Sequence, residues 1–328
     1  MQVIGSKDLL HSIGYKPFKQ RFPWIGKDLQ TIKSTITKHT LKKSFGVFSR
    51  HSFPCDAGVL HGALNIPQDQ KPKALVLLCP GLGGCEDTIT IIEFAAAMVE
   101  EGFATLRINY RGNGASAASS TAPFHAGLTE DIYAVVKNLP PEIADLPVFL
   151  FGYSLGGHLV LRSLTEETLP QNVIGAVSIA APLCLSSTVT TLEKKRNIVY
   201  ERYLLWHLRR DLQPAYGDKA MAIKSVREID DTITAPAFGF KNAEDYYQQT
   251  SVLPHLNKIK TPNLVIQAMD DPWVLASTYA EANWARHPKS ATILSPYGGH
   301  MGFHGVGDKR TWALDLTLNY LEHLYATR

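Results

Sequence analysis

Short apolar runs alternate with longer stretches of helical periodicity along most of this chain, and that alternation predicts its elements. Ala74–Cys79 (ALVLLC) has no polar position and predicts a strand buried on both faces. A Gly-rich turn and a helix over Ile91–Glu101 follow it. Next come strand Ala104–Ile108, a loop to about Ala122, helix Thr129–Leu139 and strand Val148–Phe151. A turn at Tyr153-Ser154 leads into a helix to about Ser163, and Ile174–Ile179 is the next strand. Upstream, Lys43–Pro54 and Val59–Ile66 predict a hairpin at one edge of the same sheet. Unbroken apolar strands separated by helices predict an α/β chain, with a mostly parallel sheet and helices on both faces.

The alternation breaks at Leu185, and from there to Lys258 the pattern is helical and polar. Within it, Val199, Tyr203 and Trp206 share one side of Ile198–Leu212, and Leu204, Leu205, Leu208 and Leu212 broaden that side. The rhythm resumes with strand Asn263–Ala268, helix Ala276–Arg286, strand Thr292–Leu294 and helix Trp312–Thr327. The expectation is one domain over residues 1–328, with an N-terminal extension about 1–42 and a helical cap insertion about 185–258. No repeat, low-complexity tract or linker marks a second unit.

Composition narrows the function classes. The chain is 45% hydrophobic and 19% charged, ordinary values for a globular protein. A net charge of +3 is too small for the multiple phosphate neutralisations of a nucleic-acid binder. The four cysteines (Cys55, Cys79, Cys85, Cys184) have no C-x-x-C spacing and suit free thiols in a reducing compartment. The N-terminus lacks the apolar core of a signal peptide, and no run is long and apolar enough to span a bilayer. A soluble, cytoplasmic protein is expected.

The chemistry centres on Gly152-Tyr153-Ser154-Leu155-Gly156, a G-x-S-x-G between a predicted strand and a predicted helix. Such a turn exposes the serine hydroxyl at the carboxyl end of the sheet. It also puts the Leu155 N–H at a helix N-terminus, where developing negative charge is favoured. A serine needs a base, and the base needs a carboxylate, in the chain order Ser, Asp, His. Asp270-Asp271 follows strand Asn263–Ala268, and His300, in Gly298-Gly299-His300, follows strand Thr292–Leu294. Asp271 is the expected triad member, because Pro272 and Val274 then fall where a turn and chain re-entry require them; Asp270 braces the loop. The Leu82 N–H, in Cys79-Pro80-Gly81-Leu82-Gly83-Gly84, is the expected second oxyanion donor. That loop is neither a Walker A nor a dinucleotide fingerprint, so no cofactor is expected. His300 and His304 stand four residues apart, but without an accompanying Glu or a helical setting they predict no metal site. His125, His158 and His207 are read as surface, packing or pocket-wall residues.

These residues carry a family resemblance. Ser154, Asp271 and His300 in this order resemble an α/β-hydrolase. The segments Leu29–Thr31 (LQT), Asn109–Gly114, Gly152–Gly157, Val199–Leu205, Asp230–Pro236, Asp245–Tyr247, Asp270–Val274 and Gly298–Phe303 are similar to the YheT-like, ABHD-type branch. The resemblance runs from about Phe18 onward. It implies the α/β-hydrolase fold and a serine esterase acting through an acyl-enzyme, with a small ester or lipid-like substrate. That branch usually has His-Gly where this chain has Pro80-Gly81. The cap insertion is expected to line a pocket for short- to medium-chain acyl groups, with Leu205 and Trp206 in its wall. An acyltransferase that passes the acyl group to an alcohol, and a non-catalytic binding protein on the same fold, are the alternatives. Peripheral membrane contact stays open.

Overall fold

The computed structural model describes residues 2–4, 7–37, 45–120, 122–284, 287, 289–307 and 310–328. Its centre is a nine-stranded sheet in the order β1-β9-β8-β7-β6-β4-β5-β3-β2. The parallel block comprises β4 (Leu75–Cys79), β5 (Ala104–Ile108), β6 (Val148–Tyr153), β7 (Val173–Ile179), β8 (Asn263–Ala268) and β9 (Ser290–Ser295). At one edge β2 (Val47–Cys55) and β3 (Gly58–Ile66) form the predicted antiparallel hairpin, joined to the sheet through β5. At the other edge β1 (Gln2–Ile4) pairs antiparallel with β9. The alternation predicts this mostly parallel α/β sheet, and the α/β-hydrolase fold that the family resemblance implies is the one observed.

Successive side chains of a strand point to opposite faces, so each parallel strand feeds two cores. Leu75, Leu77 and Cys79 pack with α4 (Thr129–Lys137) and α5 (Leu155–Ser163). Ala74, Val76 and Leu78 pack with α3 (Ile89–Glu100) and α12 (Trp312–Ala326) on the other face. All of β4 is buried, and each leucine there contributes about 2 kcal/mol of hydrophobic stabilisation. That double burial explains why these strands read as unbroken apolar runs.

Between β7 and β8 lie α6 (Leu185–Leu192), α7 (Ile198–Ala222), α8 (Val226–Ile229), a π-turn over Asp230–Thr234, α9 (Ala235–Ala237) and α10 (Ala243–Thr250). Helix α7 continues ten residues past the predicted end and breaks only at Gly217 (φ 53°, ψ −134°). The hairpin strand begins at Val47 rather than Lys43, and residues 38–44 lie outside those described. α11 (Ala276–Glu281) is shorter than predicted, and residues 285–286 are likewise outside.

Three elements go unread in the sequence: β1, α1 (Lys7–Ser12) and α2 (Lys27–Ile36). The last of these matters for the site. Its one buried side chain is Gln30, whose Nε2 donates to the carbonyls of Trp24 (2.6 Å) and His304 (3.2 Å) while its Oε1 accepts from the His304 N–H (2.8 Å). A polar anchor therefore docks α2 onto the loop after β9.

Candidate active site

Three carboxyl ends on one side of the sheet, those of β9 and β8 and, across β7, of β6, bring the candidate residues together. Ser154 follows β6, Asp271 follows β8, and His300 follows β9. Ser154 has φ 51° and ψ −127°, a conformation an L-residue adopts at a cost of order 1–3 kcal/mol. It is held by its own N–H donating to Ile179 O (2.8 Å) and its carbonyl accepting from the His158 N–H (3.0 Å). Tight packing forces the sharp turn. A Cβ on Gly156 would lie 2.2 Å from the Cys79 carbonyl oxygen, so only glycine lets α5 close on the end of β4.

His300 Nε2 lies 2.9 Å from Ser154 Oγ, and His300 Nδ1 lies 2.7 Å from Asp271 Oδ2. The second Asp271 oxygen accepts from the N–H groups of Trp273 (3.0 Å) and Val274 (2.9 Å). These bonds fix the carboxylate and leave one oxygen for the imidazole, which directs the histidine proton to Nδ1 and leaves Nε2 as an acceptor for the serine. Asp270 points elsewhere: its Oδ1 accepts from the Gly299 N–H at 2.9 Å. Burial raises the Asp270 carboxyl above its ordinary value, with the Gly299 N–H acting in the opposite direction. The Trp273 ring lies against the His300 ring, with centroids 4.2 Å apart.

Three further residues, unremarked as site residues in the sequence, support this set. The His300 N–H donates to Thr31 Oγ1 on α2 at 2.8 Å. A Cβ on Gly299, whose φ is +59°, would lie 2.4 Å from the Lys27 carbonyl, so the helix rests directly on the loop. Asn197 Nδ2 donates to the carbonyls of Thr191 and Pro272, both at 2.9 Å, and so ties the cap to the Asp271 turn. Asp28 accepts from Tyr200 and Arg196 of the cap, at 2.6 and 2.7 Å, closing the contact between α2 and α7. The LQT segment was the only sequence signal for Thr31.

Ser154, His300 and Trp273 open onto a cavity of about 560 Å³, walled also by Leu82, Leu155, Tyr200, Tyr203, Leu204 and His207. Among the described residues, neither the Leu82 nor the Leu155 amide donates a hydrogen bond within the chain. Pro80 keeps its loop anchored through its carbonyl, which accepts from Tyr110 Oη at 2.9 Å. A second cavity, of about 160 Å³, abuts the first across Leu82, Gly83, Leu155, Leu185, Val189 and Val226.

Leu205 and Trp206 do not reach either wall, which corrects the expected pocket assignment. Leu205 is buried in a small cluster with Ile223, Ile229 and Ile233 of the cap itself. Trp206 is 59% exposed, with the Arg210 guanidinium over its ring. The cause is rotational: Tyr200, Tyr203, Leu204 and His207 face the site, so the tryptophan turns outward and Leu205 turns to α8. The other histidines also find places. His158 is fully buried against the carbonyls of Pro182 (2.8 Å) and Thr250 (3.1 Å), His207 lines the catalytic cavity, and His125 lines the second one. His300 and His304 are not paired as ligands, since both ring nitrogens of His300 face Asp271 and Ser154.

Residues 70–293 match the Hydrolase_4 family model, described as serine aminopeptidase, S33. The chain is 30% identical over 249 residues to YheT of Escherichia coli (strain K12), a protein that carries an esterase name, covering 73% of each protein. It is 22% identical over 342 residues to the monoacylglycerol lipase of Saccharomyces cerevisiae, covering 96% of this chain and 75% of that one. Among solved structures, the Pyrococcus furiosus esterase Pf2001 superposes with a TM-score of 0.58 at 16% identity, over 94% of this chain and 99% of that one. That last likeness carries the fold. No described helix is long and apolar enough to cross a membrane.

Proposed function

This chain belongs to the serine aminopeptidase S33 family of α/β-hydrolases and is a carboxylic ester hydrolase of the YheT type, and from that premise we propose how its residues divide the work. Ser154 Oγ attacks the ester carbonyl while His300 Nε2 takes its proton. Asp271 holds the imidazole in the required tautomer and stabilises the imidazolium. The carbonyl oxygen, now negative, accepts from the N–H groups of Leu155 and Leu82, where each donor is worth roughly 3–4 kcal/mol in the best-measured hole. His300 then protonates the departing alcohol. Water, activated by the same histidine, releases the short- to medium-chain acyl group from the serine.

The hydrogen-bond chain Ser154–His300–Asp271 carries this reading, with distances of 2.9 and 2.7 Å. Apolar walls around it suit an ester of a small molecule or lipid, and the relatives' printed activities agree with that class. Ser154→Ala should retain the fold by circular dichroism, lose fluorophosphonate labelling, and lower kcat on p-nitrophenyl acetate by several orders of magnitude. Turnover close to that of the parent enzyme would overturn the assignment.

A further inference from the structure

The second cavity has features that a site for a plain hydrocarbon chain does not need. Its near walls are apolar, built from Phe124, Leu208, Leu212, Tyr216 and Ile229. Its lining also includes His125 and Asp230. His125 is 8% exposed. Its Nδ1 accepts from the Gly127 N–H at 3.0 Å, which leaves the proton of the neutral ring on Nε2. That Nε2–H has no acceptor among the described residues. The ring is held rigidly, with the edges of Phe238, Phe240 and Tyr246 packed around it at centroid distances of 4.2, 5.8 and 5.8 Å. Burial lowers the His125 pKa to about 4, so the ring is a neutral donor at ordinary pH.

Asp230 supplies the complementary group. Its oxygens accept from Thr234 Oγ1 (3.1 Å) and Tyr247 Oη (2.6 Å), and each retains acceptor capacity. The carboxyl lies deep in the protein yet stays partly accessible, because the space it faces is the cavity. The His125 Nε2–H makes no hydrogen bond among the described residues and opens onto the cavity, where a polar group of a ligand can take it up.

The position of this cavity says which half of a substrate enters it. In the mechanism above His300 must reach the leaving oxygen, so the alcohol lies on the side of His300, Trp273 and Met301. The acyl chain leaves the carbonyl carbon in the other direction, past Leu82 and Leu155, which are shared by both cavities. We propose that the second cavity is the acyl subsite and that it selects acyl chains bearing a hydroxyl, which accepts from His125 Nε2 and donates to Asp230. The proposal rests on the hydrolase reading and adds a substrate class to it: esters of hydroxy-substituted medium-chain acids.

The test compares p-nitrophenyl esters of linear C6–C10 acids with their ω-hydroxy counterparts. The parent enzyme should favour the hydroxy ester by about tenfold in kcat/KM, the worth of one well-placed hydrogen bond. His125→Phe and, independently, Asp230→Asn should bring that ratio towards one. Leu208→Trp should lower the ratio of octanoate to acetate turnover by filling the chamber. A second readout does not depend on turnover: calorimetric binding of 8-hydroxyoctanoate and octanoate to Ser154→Ala should show the same preference, lost when His125→Phe is added. If no ester is hydrolysed but this binding preference holds, the mechanism fails and the subsite stands. Equal handling of both series by the parent enzyme, or a preference that survives both His125→Phe and Asp230→Asn, would overturn the subsite whatever happens at Ser154.

Discussion

Two neighbouring carboxylates, one residue apart, have opposite tasks here, and backbone amides decide which is which. Asp271 is fixed by the Trp273 and Val274 N–H groups and directs its free oxygen to His300; Asp270 is spent on the Gly299 N–H. Asp271→Asn should therefore lower kcat by about 10⁴, through the wrong histidine tautomer. Asp270→Asn should cost far less, and steady-state kinetics on one ester decides between them. Turn grammar made this choice legible, since Pro272 and Val274 fit only one register. Thr31 was legible only through the LQT segment of the family resemblance, since nothing local ties a threonine to a partner 269 positions away. It is a positioning residue. Thr31→Val should lower kcat about tenfold with little change in KM, as loss of one hydrogen bond predicts, and Thr31→Ser should restore it.

Helices and strands differ in how far their patterns could be read. Strands β4 and β6–β9 are buried on both faces, so apolar runs gave them away, with ends displaced by a few residues at most. Helix α2 does carry an apolar row, Leu29, Ile32 and Ile36, but Ile32 and Ile36 line the cavity instead of a core, and its buried anchor is Gln30 rather than a leucine. In α7 the apolar residues cover so much of the circumference that periodicity could not say which face meets the site. Only the neighbours decide that, and they place Leu204 on the catalytic cavity and Leu205 on α8. Replacement by Ala separates the two. Leu204→Ala should shift chain-length preference across p-nitrophenyl esters more than it changes acetate turnover. Leu205→Ala should leave that profile alone and lower stability by about 2–4 kcal/mol in urea unfolding, the usual range for a buried leucine.

At the scale of the whole molecule, buried ionisable groups tie stability to pH. Burial lowers His125 and His158 to about 4, below the ordinary histidine value, so the unfolded chain takes up their protons first. Stability is therefore full above about pH 6.5 and declines as pH falls through the window down to about 4. Burial raises Asp230 to about 6, which acts oppositely: stability from that group is lost as pH rises from its ordinary value near 4 through 6. Burial also lowers His207 and His255 and raises Asp131, Asp211, Asp270 and Glu201, so the share of one group is read by removing it. His158→Gln should lessen any decline of Tm between pH 7 and 5 in thermal scans relative to the parent. A decline of the same steepness in that variant would mean His158 does not carry it.

The grip of α2 on the loop at residues 298–304 also orders events in time. A ribosome releases α2 and Ser154 well before it makes His300, so the growing chain carries a serine without a base. Most of the sheet, all strands through β8, can be synthesised while the protein is chemically silent. Hydrolysis begins only when the late loop returns to the early helix, and a nascent or shortened chain lacking that loop would hold a largely built scaffold with no turnover. Catalysis thus reports that this long-range closure has been made.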